Sequence, residues 1–277
     1  MTLQRLAAFS DGDRGGNPAG VVIVERLGES AEMQRIAAEV GYSETVFAAP
    51  QGDGWRVRYF SPTVEVPFCG HATVALGAAL AERCGDGVFP LKLNQAEITV
   101  EGRRQGERWS AALQSPPTHQ RPAAPDLLAA ALALFGYEPG DLDPALPAAI
   151  VNGGADHLLL ALRRRNDLAA MRYAMEDGAR LMAQAGLLTL LLVWAEGPRM
   201  FHSRNAFAVG GVYEDAATGA ATAALAGYLQ SLDWPHGGSI GVLQGEDMGC
   251  RSLLSAGIPA EPGGSIRVEG QVRRLAS

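Results

Sequence analysis

The sequence predicts an α+β protein built from two similar halves, each with strands gathered around one buried helix. The first observation is an Ala-rich stretch that starts at Gly70 and recurs at Gly219, 149 residues later. Six of eleven residues coincide in the two stretches, among them the Gly, the Thr and both Leu positions. A repeat of such long period indicates duplicated fold units. The second observation is that predicted strands come in runs around single helices, which is typical of α+β and not of regular βαβ alternation.

Alternation and turn residues predict the elements of the first half. Residues 21–24 form a β-branched run typical of a buried strand, and residues 55–60 alternate between two faces. Ser30 is expected to cap a helix that stops at Gly41. The helix from Phe68 to about Leu80 consists mainly of small residues, so we expect it to be buried as the axis of its half. The strands predicted here cover residues 3–9, 21–24, 43–47, 55–60, 88–93, 97–101 and 108–113.

A proline-rich stretch marks the predicted boundary between the halves. Residues 115–148 contain seven prolines, and Pro125 with Gly136 brackets one helix over 125–135. We therefore predict a domain at 1–114, a linker with one helix at 115–148, and a second domain at 149–277 whose last strand, from about 265, could join the first. Predicted strands of the second half cover 149–152, 157–163, 188–194, 199–204, 239–243, 265–268 and 272–275, with helices at 175–184 and from about 218.

Composition favours a small-molecule substrate in the cytoplasm. A formal charge of −7 over 277 residues offers no positive field for nucleic acid or an anionic membrane. Three widely spaced cysteines form neither a disulfide framework nor a Cys-x-x-Cys pair, which points to a reducing compartment. We expect no signal peptide at the N-terminus, and the most apolar run, 187–195, is too short to span a bilayer. The five histidines show no ligand spacing, so no metal site is predicted.

The two helix starts are candidate binding elements. A first turn that begins at glycine leaves N–H groups accessible and carries the positive end of the helix dipole. Two such starts facing one another would hold an anion, most simply a carboxylate, through Gly70, Ala72, Gly219 and Ala220. The alternative is that both glycines serve only tight strand-to-helix turns. His71 in the first turn would act as a neutral donor or proton relay, although a single His is often structural.

Glu44, Cys69 and Asp215 are candidates for the chemistry itself. Burial in an apolar strand would disfavour the ionised form of Glu44, which suits a group that takes and returns a proton at carbon; the alternative is a solvated residue on an edge strand. Cys69 could be a thiolate base or nucleophile at a helix start, or an inert buried thiol. The repeat has Thr218 at that position, and Asp215, three residues earlier, could cap the second helix.

Several motifs in one order resemble the PhzF-like family of phenazine biosynthesis, over nearly the whole chain. They are residues 16–22 (GNPAGVV), 33–37 (MQRIA), 43–47 (SETVF), 67–73 (PFCGHAT), 204–205 (RN), 214–221 (EDAATGAA) and 244–249 (QGEDMG). The resemblance implies two diaminopimelate epimerase-like domains, each a barrel-like sheet around a central helix, with the active site in the cleft between them. It also implies a homodimer.

The resemblance further implies chemistry without a cofactor. The best-known family member isomerises a dihydro-hydroxyanthranilate by moving a proton between ring carbons, and its catalytic acid/base corresponds to Glu44. His71 and Asp215 correspond to groups that orient the substrate or relay protons. This chain departs from the family pattern at Ala216, where a Pro is usual, at Ala220, where a Ser is usual, and after Gly249, where Cys250 and Arg251 replace Arg-Pro. If the family Ser touches the substrate, Ala220 removes a donor and changes the substrate.

The sequence therefore leads to one main hypothesis and two alternatives. The main hypothesis is a cofactor-independent isomerase that moves a proton between carbons of a small carboxylate, with Glu44 as general acid/base. The first alternative is a two-base racemase or epimerase that uses Cys69, against which the absence of a second cysteine near Thr218 argues. The second alternative is a catalytically inactive homologue that binds a small molecule, which Ala220 keeps open.

Overall fold

The computed structural model describes residues 2–276, which fall into two compact α+β units. The first unit runs through Gln114 and also includes the chain from Glu269 on, and the second is Ser115–Val268. The segment predicted as a linker, 115–148, lies within the second unit. None of the helices in residues 2–276 combines the length and apolar character that a membrane crossing requires.

Among the described residues up to Gln114, the first unit contains two helices and eight strands, the last of which continues into the second unit. β1 pairs antiparallel with β2, β2 pairs parallel with β3, and β3 and β4 are antiparallel. β4 pairs antiparallel with the short β5 and parallel with β6, and β6, β7 and β8 continue antiparallel. The elements are β1 (Thr2–Ser10), β2 (Asn17–Ile23), α1 (Ser30–Val40), β3 (Thr45–Gln51), β4 (Gly54–Phe60), β5 (Glu65–Val66), α2 (Gly70–Cys84), β6 (Gly87–Lys92), β7 (Glu97–Gln105) and β8 (Arg108–Pro117).

Helix α2 is the buried axis of the first unit, as predicted. Its residues 71–81 are all buried, and it packs against β1, β2, β3, β6 and β7. Two glycines allow this close packing against β7: a Cβ on Gly77 would lie 2.5 Å from Val100 Cγ2, and one on Gly102 would collide with the backbone of Gly77. The small residues of α2 thus permit a sheet to surround the helix on several sides.

The second unit repeats the same series of strand pairings. From β10 onward the pairings are antiparallel (β10–β11), parallel (β11–β12), antiparallel (β12–β13), antiparallel with a two-residue strand (β13–β14), parallel (β13–β15) and antiparallel (β15–β16). Helix α6 is buried over 221–230 and takes the place that α2 has in the first unit. The elements are β9 (His119–Pro122), α3 (Pro125–Phe135), β10 (Ala149–Asn152), β11 (Asp156–Ala161), α4 (Arg165–Ala169), α5 (Met175–Ala185), β12 (Thr189–Gly197), β13 (Met200–Ala206), β14 (Glu214–Asp215), α6 (Gly219–Ser231), β15 (Ser239–Gln244), β16 (Ser252–Gly257) and β17 (Ser265–Arg274), whose part from Glu269 on belongs to the first unit.

Three local predictions were wrong. Glu29, which has extended backbone angles, is the N-cap of α1, whereas Ser30 is already helical and accepts a hydrogen bond from Arg58 Nη2 at 2.9 Å. Strand β3 begins at Thr45, two residues later than predicted. The two C-terminal strands predicted at 265–268 and 272–275 are one strand, because Gly270 stays in the extended conformation.

Candidate active site

The backbone of Glu44 is fixed by the parallel pairing of β2 with β3. Glu44 is the last residue before β3, and its carbonyl oxygen accepts a hydrogen bond from the N–H of Gly20 at 3.1 Å. Gly20 lies opposite Thr45 in the ladder, and a Cβ on Gly20 would lie 2.7 Å from Thr45 Oγ1. Glycine is therefore needed for β2 to run close enough to hold the Glu44 backbone.

A buried chain of hydroxyl groups fixes the start of α2. Thr73 donates to the carbonyl oxygen of Cys69 through its N–H at 3.0 Å and through Oγ1 at 2.6 Å. Because the single Thr73 hydroxyl proton is used there, the Tyr59 hydroxyl donates to Thr73 Oγ1, at 2.6 Å. Burial raises the pKa of Tyr59, so its phenol remains a donor at neutral pH.

The carboxylate, the imidazole and the thiol of the predicted site residues lie together in the first unit. His71 Nε2 lies 3.4 Å from Glu44 Oε2 and 3.4 Å from Ser43 Oγ. His71 Nδ1 lies 3.4 Å from Cys69 Sγ. Cys69 and His71 are buried, whereas 19% of the Glu44 side chain is exposed. The imidazole thus lies between a buried thiol and a carboxylate that solvent, or a ligand, can reach.

Gly70 has no structural requirement for glycine. Its φ is not in the left-handed region, and, apart from its chain neighbours and the backbone of its own helix, no heavy atom of residues 2–276 lies within 4 Å of where its Cβ would be. A tight turn would give Gly70 a left-handed φ, and close packing would give its Cβ a near neighbour. Neither is found, so the interpretation of Gly70 as a tight-turn glycine has no support. Because glycine has no side chain, the first turn of α2 faces open space. The N–H groups and the helix dipole favour an anion there.

The predicted residues of the second unit belong to a separate hydrogen-bond network. Asp215 lies in β14, and its Oδ2 accepts a hydrogen bond from Thr218 Oγ1 at 2.6 Å. Gln244 Nε2 donates to the Asp215 carbonyl oxygen at 2.8 Å and to Thr218 Oγ1 at 2.9 Å, and Gln244 Oε1 accepts from the Thr218 N–H at 3.1 Å. Gly219 and Ala220 follow as the first two residues of α6. Gln244 thus orients both Thr218 and the Asp215 backbone.

A depression of about 680 Å³ on the first unit does not contain the predicted site residues. Arginines line it, but two of them are already paired with carboxylates, Arg108 with Asp13 and Arg274 with Glu82. Because none of the predicted catalytic or binding residues lines it, this depression is not part of the candidate site.

The family model of phenazine biosynthesis-like proteins, PhzC-PhzF, matches residues 6–273. The chain belongs to this family. The trans-2,3-dihydro-3-hydroxyanthranilate isomerase of Pseudomonas aeruginosa is 32% identical over 255 residues, which cover 90% of this chain and 87% of the relative. Other curated relatives are also named isomerases. This PhzF-family chain is therefore an enzyme of the isomerase or epimerase class.

Solved structures confirm the epimerase-like fold of this PhzF-family chain. A PhzF-family protein of Bacillus anthracis has a TM-score of 0.84 at 22% identity, over 100% of this chain and 98% of that one. A probable proline racemase of Agrobacterium radiobacter K84 has a TM-score of 0.66 at 10% identity, over 99% of this chain and 91% of that one. The predicted fold class and the family resemblance are confirmed, while the roles of Glu44, His71 and Asp215 stay predictions.

Proposed function

We propose that this enzyme is a cofactor-independent isomerase that moves a proton between two carbons of a small carboxylate, with Glu44 as the general acid/base. The observation that carries the proposal is the partly exposed Glu44 carboxylate, 3.4 Å from His71 Nε2, in the same unit as an open helix start. A carboxylate in this position can reach a bound ligand. The imidazole beside it can donate a hydrogen bond to the Glu44 carboxylate or accept one from the carboxylic acid.

The proposed step is a balanced proton transfer. The Glu44 carboxylate removes a proton from one carbon of the substrate, and the electron pair of that C–H bond shifts the adjacent double bond. The resulting Glu44 carboxylic acid returns a proton to the carbon at the other end of the shifted bond. Nothing is oxidised or reduced, and the enzyme regains its starting state, so the step needs no co-reactant.

We assign the substrate carboxylate to the first turn of α2. Gly70 leaves the N–H groups of that turn accessible, and the helix dipole stabilises negative charge there, including charge that builds up as the proton leaves carbon. We further propose that Asp215, Gly219, Ala220 and the helix residue Ala72 contribute to substrate binding, as the family motifs imply. The support for Asp215 is its hydrogen bond from Thr218, which limits its rotamers.

The repeat favours one acid/base carboxylate over a pair of thiols. A two-base racemase needs a second thiol, and the residue that precedes α6, at the position of Cys69 before α2, is Thr218. Its hydroxyl donates to the Asp215 carboxylate, so it is held as a hydrogen-bond donor and is not poised as a base. For the substrate we propose an unsaturated carboxylate of the class named for the Pseudomonas relative. Because Ala220 stands where the family usually has Ser, we propose that this substrate needs one hydrogen-bond donor fewer from the protein.

Replacing Glu44 by Gln tests the proposal. Assayed with dihydro-hydroxyanthranilates and related unsaturated carboxylates in D₂O, the wild type should isomerise one of them and place solvent deuterium at the carbon that receives the proton. Glu44→Gln should lower kcat by about 100-fold or more, the usual contribution of a general acid/base, with little change in thermal stability or ligand binding. Glu39→Gln, on the exposed face of α1, is the matched control and should keep full activity.

Three results would contradict the proposal. Turnover by Glu44→Gln at the wild-type rate would remove Glu44 from the proton transfer. Carboxylates that raise the melting temperature of the wild type without any turnover or deuterium exchange would instead identify a binding protein that has lost the chemistry. Deuterium at the α-carbon of an amino acid would support the two-base alternative.

A further inference from the structure

We infer that Glu44, Cys69 and His71 form a binding site for a thiophilic divalent cation of the Zn²⁺ type, and that the bound ion inhibits the enzyme. The three side chains each offer one ligand atom, and those atoms lie within 4.8 Å of one another. The binding stands on the geometry alone. The inhibition rests on the proposed function, because the ion would occupy the carboxylate that takes the proton.

The separation of His71 and Glu44 suits a tetrahedral ion, and the thiol lies close to it. With metal–ligand bonds of about 2.0–2.3 Å, neighbouring N, O and S ligands of tetrahedral zinc lie about 3.3–3.6 Å apart. Here His71 Nε2 is 3.4 Å from Glu44 Oε2 and 3.9 Å from Cys69 Sγ. The sulfur lies nearer to His71 Nδ1, at 3.4 Å, and the three ligand atoms lie within 4.8 Å of one another, so binding requires the Cys69 and Glu44 side chains to close in around Nε2.

The chemical nature of the donors selects the metal. A thiolate with an imidazole favours Zn²⁺ over Mg²⁺ or Ca²⁺, which prefer oxygen ligands. Three protein ligands leave a fourth position for water or for the carboxylate of a ligand, as in zinc sites with an open position. The partly exposed Glu44 carboxylate gives the ion a route into the otherwise buried pair of Cys69 and His71.

The surroundings hold the ligands in place. Cys69 is the N-cap of α2, and its backbone is fixed by two hydrogen bonds from Thr73. The Glu44 backbone is held by Gly20 across the β2–β3 ladder. The fold thus holds the backbones of Cys69 and Glu44 in place, and the metal has to draw only the side chains together. Histidine spacing could not predict it, since only one of the three ligands is a histidine.

Cobalt spectroscopy on the full-length protein tests the site directly. Co²⁺ added to chelator-treated wild type should give one equivalent of a tetrahedral spectrum with a thiolate-to-cobalt charge-transfer band, and Zn²⁺ should displace it. Cys69→Ser should lose the charge-transfer band and bind Zn²⁺ at least ~10-fold more weakly by calorimetry. Cys84→Ser and Cys250→Ser, which keep Cys69, should behave as the wild type. Circular dichroism and thermal unfolding would show that Cys69→Ser is folded, and His71→Gln provides a second variant of the ligand set.

The inhibition is measured on the Cys250→Ser protein as well as on the wild type. Stoichiometric Zn²⁺ should abolish turnover in both, and a chelator should restore it. A charge-transfer band that survives in folded Cys69→Ser, or failure of the wild type to bind Co²⁺ and Zn²⁺, would overturn the inference. An active enzyme that binds no zinc would leave the proposed isomerase intact, whereas a protein that binds zinc at Cys69 but turns over no carboxylate would leave the metal site and remove the isomerase.

Discussion

At the scale of single residues, the most informative position is a glycine that the backbone does not need. Gly70 is the first residue of α2 and has no left-handed φ, and among residues 2–276 only its chain neighbours and the backbone of α2 could lie within 4 Å of its would-be Cβ. Most glycines at helix boundaries of this chain are explained by their backbone, as at Gly41 and Gly136, both near φ 72°. The open space at Gly70 therefore points to a ligand that approaches the helix start closely.

Gly70→Ala should separate stability from function. Alanine is better than glycine in a helix by about 0.5–1 kcal/mol, and here it meets no atom, so the free energy of unfolding should stay equal or rise. If the substrate carboxylate reaches the first-turn N–H groups, the added methyl group should raise KM by about 10-fold, roughly 1.4 kcal/mol. Steady-state kinetics with denaturant unfolding measure both quantities.

The matched control for Gly70→Ala is Gly77→Ala in the same helix. Its Cβ would lie 2.5 Å from Val100 Cγ2, so this variant should lose stability through overpacking. Unchanged KM in a stable Gly70→Ala protein would contradict a ligand at the helix start.

At the scale of elements, three strands of the second unit share a buried polar chain. Thr189 Oγ1 on β12 donates to Asn205 Oδ1 on β13 at 2.8 Å, so it accepts from His157 Nδ1 on β11, at 2.7 Å. His157 is therefore a neutral imidazole with its proton on Nδ1. Its Nε2 has no hydrogen-bond partner among the described residues, and burial lowers the pKa of His157 to about 4.

This histidine should make stability depend on pH between about 6.5 and 4. Below pH 6.5 His157 is protonated in the unfolded chain but not in the folded protein. The free energy of unfolding therefore decreases as the pH is lowered, until the folded group also titrates near pH 4. The full loss amounts to about 3 kcal/mol at 1.36 kcal/mol per pH unit. The free energy of unfolding, measured in urea, should therefore fall by about 2 kcal/mol more between pH 7 and pH 5 in the wild type than in His157→Asn.

His119→Asn is the control for this titration, because His119 is exposed on β9. It should follow the wild-type pH dependence. Parallel curves for the wild type and His157→Asn would mean that His157 carries its proton in the folded state.

The elements also show what the sequence could and could not predict. Helix α3 was predicted with its observed bounds, since Pro125 and Gly136 act locally at its two ends. The two-residue strands β5 and β14 are too short to show a period, and β9 carries a proline. At the site, motifs pointed to Glu44 and His71, but the roles of Gly20 and Tyr59 in positioning them depend on contacts between distant segments. Local patterns cannot reveal such contacts.

At the scale of the whole molecule, the repeat extends from the strand pairings to an ion pair. Arg58 on β4 binds Glu65 on β5 through two nitrogens, at 2.7 and 2.5 Å. Arg204 on β13 binds Glu214 on β14 in the same way, at 2.5 to 3.1 Å. The correspondence is not visible in the sequence, because Arg and Glu are seven residues apart in the first unit and ten residues apart in the second. Each unit thus anchors the strand before its central helix with an equivalent pair.

The two ion pairs should contribute unequally because only one is buried. The side chains of Arg204 and Glu214 are 8% and 2% exposed, against 18% and 26% for Arg58 and Glu65. Arg204 also donates through Nη1 to the carbonyl oxygens of Ala169 and Met171, so its charge cannot move into water. Glu214→Gln should therefore cost about 3–5 kcal/mol, as for a buried pair that loses one partner, and Glu65→Gln about 1 kcal/mol or less. Denaturant unfolding of the two variants, which make the same isosteric change at equivalent places, measures the difference directly. Equal losses would show that burial does not set the strength of these pairs, and that the two units are more alike in energy than in their exposure to solvent.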